Sequence, residues 1–221
     1  RDLRQRFGVV RDQGPRPTCL VFAASDAHAA FRLPWAPLSC EFLFYHAQRR
    51  QQRTPDTGAT MPGIIDALLE DGQPIEADWP YLAATPQDVA SWNPPAIIGA
   101  TFHCRAALGL NAIDHIIEQL NGSKPCIILM HITPTFFSAT ERSLIDEDPA
   151  TTPGVVARHA VVAVGHGLAT GKRCLLVRNS WGIAWGFNGH AWVAERYLAK
   201  QVFGLGIVLE AHDVSRNPAT T

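Results

Sequence analysis

The polar residues best suited to chemistry lie in three short segments of this 221-residue chain. The first runs from Gln13 to Cys19, and Cys19 opens an Ala-rich stretch without Gly or Pro that predicts a helix. The first turn of a helix presents unpaired N–H groups and the positive end of the helix dipole, and both favour a thiolate. We therefore expect a lowered thiol pKa and a nucleophilic Cys19. The alternative for a lone cysteine is a buried hydrophobic residue.

The second and third segments supply a histidine and an amide. His159 follows Arg158 and opens an apolar strand, where it could accept a proton or serve as a hydrogen-bonded core histidine. Asn179 precedes Ser-Trp-Gly at the end of another predicted strand. An amide oxygen there can accept the imidazole N–H and hold the ring in one tautomer.

Together these segments resemble the papain family of cysteine peptidases. The family signature Gln-Gly-x-Cys-Gly-Ser-Cys-Trp shares its Gln-to-Cys spacing with Gln13 and Cys19. The family pattern His-Ala-Val-x-x-Val-Gly-Tyr-Gly is matched by residues 159–167, with His166 in place of Tyr. The pattern Lys-Asn-Ser-Trp-Gly-x-x-Trp-Gly-x-x-Gly-Tyr is matched by residues 178–190. Weaker similarities at 38–43 and 79–81 extend the resemblance over residues 9–209.

The resemblance implies a cysteine endopeptidase that forms a thioester acyl-enzyme. Cys19 would be the nucleophile, His159 its general base and later the acid, and Asn179 the residue that orients the imidazole. The Gln13 side chain and the Cys19 backbone N–H would form the oxyanion hole. The implied fold is α+β and papain-like, with a helical N-terminal lobe, an antiparallel β-rich C-terminal lobe and the active site in the cleft between them.

The resemblance also predicts six substrate-binding residues: Gly58, Ala59, Met61, Ala157, Arg158 and Trp181. The first two fall where the family has a Gly-Gly pair that hydrogen-bonds the substrate backbone. Met61 and Ala157 fall near the pocket for the second residue before the cut. Trp181 would shield the His–Asn hydrogen bond from water, and Arg158 replaces an Asp or Asn.

Several departures from the family pattern concern the cysteine segment. Arg16 replaces the disulfide-forming cysteine three residues before the nucleophile, and Pro17 replaces a Gly, which removes a backbone donor. The chain has five cysteines, an odd number. We therefore expect no structural disulfide, as in divergent members of bacterial type. Free thiols favour a reducing compartment, but the sequence assigns none.

The elements that must position these residues can be predicted from periodicity and turn residues. Helices are predicted at 19–31, 39–50, 62–70 and 112–120, and strands at 126–132, 159–164, 174–178, 189–194 and 206–209. We expect one domain over 1–221, with a helical lobe at 9–95, a β-rich lobe at 96–211 and a tail at 212–221. The acidic stretch 147–153 is predicted to be a surface loop.

Composition removes other classes of function. The net charge of −1 leaves no basic surplus for nucleic acid, and no apolar run approaches the roughly 20 residues of a membrane span. His131, His166 and His190 lack the spacing of a metal motif, so we predict no metal and no cofactor. The expected partner is a peptide or protein substrate. Because no signal-peptide pattern or Met opens the chain, we expect a longer protein, whose pro-segment or other domains are candidate inhibitors.

Two other functions use the same residues. The Cys–His machinery could catalyse another acyl transfer, as a deamidase, a transamidase or a self-processing protease of a larger toxin or effector. A non-enzymatic binding module of the same fold is the third hypothesis, and the presence of Gln13, Cys19, His159 and Asn179 together argues against it.

Overall fold

The computed structural model describes residues 1–32, 34–142, 144–146, 154 and 157–212. In these residues three helices precede the first strand of a seven-stranded sheet, and three more lie between its strands. The helices are α1 Cys19–Ala29, α2 Cys40–Arg50, α3 Met61–Glu70, α4 Ile113–Asn121, α5 Pro134–Phe137 and α6 Glu195–Gln201. The strands are β1 His103–Leu108, β2 Cys126–Ile132, β3 Leu144–Ile145, β4 Ala157–Ala169, β5 Lys172–Arg178, β6 His190–Ala194 and β7 Val202–His212. Their order is β1-β7-β2-β4-β5-β6-β3, and only the β3–β6 pair is parallel. The predicted α+β fold class is confirmed.

The starts of the long helices follow from capping residues in the sequence. The Ser39 hydroxyl accepts from the N–H of Phe42 at the start of α2, and the Thr60 hydroxyl accepts from Gly63 at the start of α3. Thr18 occupies the same position before α1 but makes no such bond. Its hydroxyl lies 2.7 Å from the Tyr81 hydroxyl instead. The first turn of α1 therefore keeps N–H groups that no threonine side chain satisfies.

The sheet divides the hydrophobic core in two because alternate residues of a strand face opposite sides. In β4, Ala160 and Val162 pack with the side chains of α1, α2 and α3, whereas Val161 and Ala163 pack on the other face with α4 and α6. Helix α1 lies directly against β4, so Cys19 at its start is held beside the strand that begins near His159. This packing brings residues separated by most of the chain to one place.

A buried ionic cluster ties α1 to the sheet. Asp26 accepts from Arg178 Nε at 2.7 Å and from Arg11 at 2.7 Å, and both Asp26 and Arg178 are buried. The Nη1 and Nη2 atoms of Arg178 donate to the carbonyls of Gly8 and Val9, respectively, each at 2.9 Å. Because Arg178 directly precedes Asn179, this cluster anchors the end of β5 against the helix that carries Cys19.

Some elements are longer than predicted and others were not predicted at all. β4 and β7 extend well beyond their apolar runs. β1, α5 and α6 were not predicted because their sequences are too short or too mixed in polarity to show a helical or strand periodicity. The backbone of His212, predicted to begin the tail, still pairs with His103. The rest of that tail and the loop predicted at 147–153 lie outside the described residues. No helix within the described part of the chain has the length and hydropathy to cross a bilayer.

Candidate active site

The structure joins His159 and Asn179 by a short hydrogen bond. His159 Nε2 lies 2.7 Å from Asn179 Oδ1, and both residues are buried. The same amide oxygen accepts from the Ser180 N–H at 2.8 Å, and the Asn179 N–H donates to Gly189 at 3.0 Å. Since Oδ1 can only accept, Nε2 must carry the proton in this bond. The lone pair of the neutral ring is therefore on Nδ1, where it can accept a proton.

Aromatic rings cover this hydrogen bond. The Trp181 ring lies 4.6 Å from the His159 ring, centroid to centroid, and Phe136 contacts the imidazole edge to face at 5.9 Å. Phe137 stacks on the outer face of Trp181 at 5.1 Å. The Trp185 indole N–H donates to the Phe136 carbonyl at 2.9 Å and fixes α5 in this position. A hydrogen bond shielded from water by such rings is stronger than an exposed one.

Cys19 is the first residue of α1, and its thiol is half-buried. Burial raises the thiol pKa, although the backbone N–H groups of Ala160 and Leu20 lower it in part. The sequence-based expectation of a lowered pKa is therefore wrong for the free protein, because desolvation outweighs the helix start. The backbone hydrogen bond from Ala160 nevertheless shows that the Cys19 sulfur lies beside the residue that follows His159.

The electrostatics of His159 point the same way. Burial lowers the pKa of His159 to about 4, and the hydrogen bond to Asn179 opposes that shift only partly. Burial thus favours the neutral forms of both the imidazole and the thiol in the free protein. A neutral imidazole is a competent base, so the arrangement still allows proton transfer from sulfur to nitrogen during attack.

Gln13 is held rigidly next to this pair. Its Nε2 donates to the Arg16 carbonyl at 2.9 Å, its Oε1 accepts from the Ser180 hydroxyl at 2.7 Å, and its backbone N–H donates to Ser180 at 2.8 Å. These bonds fix which end of the amide is the donor. The amide nitrogen has two hydrogens, and the bond to Arg16 uses one of them. Gln13 also lines the cleft.

A cleft of about 860 Å³ collects the predicted residues. Gln13, Cys19, His159 and all six predicted substrate-binding residues line it, namely Gly58, Ala59, Met61, Ala157, Arg158 and Trp181. Asn179 lies behind His159 and does not line the cleft. The pair Gly58–Ala59 and Met61 come from the helical side, while Ala157 and Arg158 come from β4.

Further lining residues were not predicted. Leu129, Ile132 and Phe203 come from the sheet, Phe137 from α5 and Arg53 from the loop after α2. The signal that could have identified Leu129 is the pairing of β2 with β4, which sets Met130 opposite His159. That register depends on distant strand pairing and cannot be derived from local sequence.

Comparisons with known proteins show the family of this chain. Residues 52–202 match the sequence profile of the family described as "Papain family cysteine protease". The chain belongs to this family. It is 56% identical over 197 residues to Cysteine proteinase 2 of Entamoeba histolytica, covering 82% of this chain and 58% of the relative. It is 28% identical over 201 residues to Peptidase 1 of Dermatophagoides pteronyssinus, covering 87% of this chain and 60% of the relative. The chain thus spans about three fifths of the length of these curated relatives.

Solved structures show the same fold. Xylellain, a cysteine protease from Xylella fastidiosa, superposes with a TM-score of 0.76 at 21% identity, covering 94% of this chain and 84% of that structure. Recognition of the papain family from its three sequence segments is therefore confirmed.

This papain-family member carries a buried ion pair where the sequence pattern of the family has a disulfide cysteine. Arg16 forms two hydrogen bonds with Glu41, at 2.6 and 3.0 Å, and both side chains are fully buried. Arg16 also donates to the Leu82 carbonyl at 2.7 Å, while Glu41 accepts from the Trp92 indole at 2.7 Å. The pair links the Gln13–Cys19 loop to α2 and to the segment 82–92. All five cysteines are free thiols.

The described residues contain no group of three or more His, Cys, Asp or Glu side chains arranged to hold a metal ion. His166 Nε2 lies 2.8 Å from the Asn121 amide oxygen, and His190 Nδ1 donates to the Asn188 carbonyl at 2.9 Å. The ring of His131 packs on Phe203. These histidines have separate structural contacts.

Proposed function

We propose that this chain is a cysteine endopeptidase that hydrolyses peptide bonds with Cys19, His159 and Asn179 as its catalytic triad. The observation that carries the proposal is the 2.7 Å contact of His159 Nε2 with Asn179 Oδ1, because it leaves Nδ1 as the base at the wall of the cleft that Cys19 also lines. Membership of the papain family supports the same reaction class.

In the first half of the reaction the Cys19 sulfur attacks the carbonyl carbon of the substrate. His159 Nδ1 accepts the thiol proton as the C–S bond forms. The negative charge that develops on the carbonyl oxygen is stabilised by the second Gln13 N–H and the Cys19 backbone N–H. The C–N bond then breaks, the imidazolium gives its proton to the leaving amine, and a thioester remains on Cys19.

In the second half a water molecule replaces the amine. His159 accepts a proton from that water as it attacks the thioester carbonyl, and the same two donors stabilise the second oxyanion. Collapse breaks the C–S bond, releases the carboxylic acid product and returns the proton to sulfur. Asn179 keeps the imidazole in one orientation throughout, and the Trp181 ring keeps water from this hydrogen bond.

The test is digestion of an unbiased peptide library with mass-spectrometric detection. The native protein should produce new peptide termini, and Cys19→Ala should produce none. The matched control is Cys174→Ala, which removes a buried thiol of β5 and should leave cleavage unchanged. Cleavage that persists in Cys19→Ala would rule out the assigned nucleophile. A mass change at glutamine without new termini would instead identify the enzyme as a deamidase or transamidase.

A further inference from the structure

We propose that the cleft selects substrates that carry a carboxylate close to the scissile bond, and that Arg53 and Arg158 bind this carboxylate. The inference rests on the proposed peptidase function and adds a substrate class to it: peptides with an acidic group next to an apolar side chain. Its basis is the charge of the cleft wall.

The described residues that line the cleft include three arginines and no aspartate or glutamate. The charge of Arg16 is compensated by Glu41, which holds it in two hydrogen bonds. Arg53 and Arg158 remain, and neither forms an ion pair with another described residue. These two arginines give the cleft a positive potential. Because the whole chain has a net charge of only −1, that potential is local to the cleft.

Arg158 belongs to the sheet side of the cleft. It lies at the start of β4 directly before His159, and its side chain is exposed. Its guanidinium carbon lies 5.5 Å from the centre of the Phe203 ring, and that ring packs on His131 at 4.7 Å. Stacking on an aromatic face orients a guanidinium but uses none of its five N–H donors. The donors of Arg158 are therefore positioned and available.

Arg53 belongs to the helical side, on the loop that follows α2. Its backbone N–H donates to the Gln48 carbonyl at 2.9 Å. The buried Gln48 side chain donates to the carbonyls of Thr54 and Thr57, at 2.6 and 2.7 Å. One buried amide thus holds the loop backbone in a fixed shape. The Arg53 side chain extends from this anchored loop, and it is exposed.

The chemistry of the remaining wall defines the rest of the substrate. Met61, Leu129 and Ala157 line the same cleft as the two arginines, and their apolar surface suits an aliphatic or aromatic side chain. Guanidinium groups bind carboxylates with charge-assisted, often bidentate hydrogen bonds. The carboxylate could belong to an Asp or Glu side chain or to the free C-terminus of a short peptide.

The experiment compares matched peptides that share one apolar residue two positions before the cut. Glu, Gln or Lys is placed in turn at each neighbouring position, and each peptide is made with a free and an amidated C-terminus. We measure kcat/KM for the native protein, Arg53→Gln, Arg158→Gln and the control Arg105→Gln, which alters an exposed arginine of β1 outside the cleft. Binding of the same peptides to Cys19→Ala is measured by fluorescence anisotropy.

At one position or more, kcat/KM should be higher for the Glu peptide than for the Gln peptide, and higher for the Gln peptide than for the Lys peptide. Each arginine variant should reduce the Glu-over-Gln ratio by about two- to fivefold, the range for solvent-exposed ion pairs. The preference should also weaken as salt is added. A preference that follows the free C-terminus instead of the side chain would identify the terminal carboxylate as the group that is bound.

Equal rates for Glu and Lys at every position, or a Glu preference unchanged in both arginine variants, would overturn the inference while leaving the peptidase proposal intact. Absence of cleavage in every peptide would overturn the peptidase proposal. In that case, arginine-dependent binding of Glu peptides to Cys19→Ala would still support the carboxylate site, and equal binding of Glu and Lys peptides would exclude it.

Discussion

At the scale of single residues, the proposed oxyanion hole depends on the orientation of the Gln13 amide. An amide side chain can rotate by half a turn and exchange its donor for its acceptor. Here the Ser180 hydroxyl donates to Oε1 at 2.7 Å and the Arg16 carbonyl accepts from Nε2 at 2.9 Å, so only one orientation satisfies both contacts. The donor end of Gln13 is therefore set before substrate binds, which is the arrangement that oxyanion stabilisation requires.

This predicts that Gln13→Ala lowers kcat by about 10²–10³-fold with a small change in KM, because the donor acts on charge that develops only in the transition state. Ser180→Ala should produce a smaller loss, since it frees the amide to rotate without removing it. Alkylation of Cys19 by iodoacetamide passes through no oxyanion. The rate of this alkylation should therefore change little in either variant. If Gln13→Ala keeps the native kcat, Gln13 is not part of the oxyanion hole.

The sequence predicted which residues meet at the cleft better than it predicted the direction of the thiol pKa shift. Cys19, His159 and Asn179 could be identified because each lies in a short segment with its own spacing. The sign of the thiol pKa shift could not, since it depends on how much of the sulfur is desolvated by β4. Arg53 and Phe203 were missed for a related reason. They line the cleft because of long-range packing, which no local sequence pattern indicates.

At the scale of elements, the Arg16–Glu41 pair connects the nucleophile loop to α2. Both side chains are buried, and the Arg16 guanidinium also lies 4.8 Å from the Tyr81 ring. A buried charge whose partner is lost keeps its desolvation penalty without compensation. The two residues are therefore expected to depend on each other for stability, which a double-mutant cycle can measure.

Glu41→Gln should lower the free energy of unfolding by about 3–5 kcal/mol, because it leaves Arg16 buried without a counter-charge. Adding Arg16→Met to Glu41→Gln should recover part of that loss, since the uncompensated charge is removed. Urea unfolding of the two single variants and the double variant provides the cycle, with Arg105→Gln as an exposed control. Strict additivity of the two single effects would show that the pair is not energetically coupled.

The elements themselves were predictable where local signals were strong. β2 has its predicted bounds, and α2 and α3 begin directly after the capping residues Ser39 and Thr60. β1 was missed because it is a mixed-polarity edge strand that pairs only with β7, about a hundred residues later along the chain. No element was predicted before Cys19, yet Leu3 is buried and its N–H donates to Val164 at 2.8 Å.

At the scale of the whole molecule, burial of neutral histidines makes folding sensitive to acid. Burial lowers the pKa of His159 to about 4, and burial together with the charge of Arg178 lowers the pKa of His190 to about 4. An unfolded chain protonates both histidines near their usual value of about 6.5. The carboxylates with lowered pKa, such as Asp26, act in the same direction but mainly below about pH 5, where their unfolded forms begin to protonate.

Between pH 6.5 and 4 the unfolded state therefore binds more protons than the folded state, and the free energy of unfolding must fall as the pH is lowered. Two groups shifted this far make the loss on the order of a few kcal/mol, since one pKa unit is worth about 1.4 kcal/mol. Burial raises the pKa of Glu76, which opposes the trend but involves a single carboxyl. We expect the melting temperature to decline steadily across this window, as measured by calorimetry at constant ionic strength.

His190→Tyr tests whether the decline has this origin, because the sequence pattern of the family has Tyr at this position and His190 Nε2 has no hydrogen-bond partner among the described residues. The variant should flatten the slope of melting temperature against pH between 6.5 and 4, whatever its stability at pH 7. Trp192→Phe, which changes packing in the same small pocket without removing a titrating group, should keep the native slope. If His190→Tyr and Trp192→Phe have equal slopes, acid sensitivity arises elsewhere in the molecule.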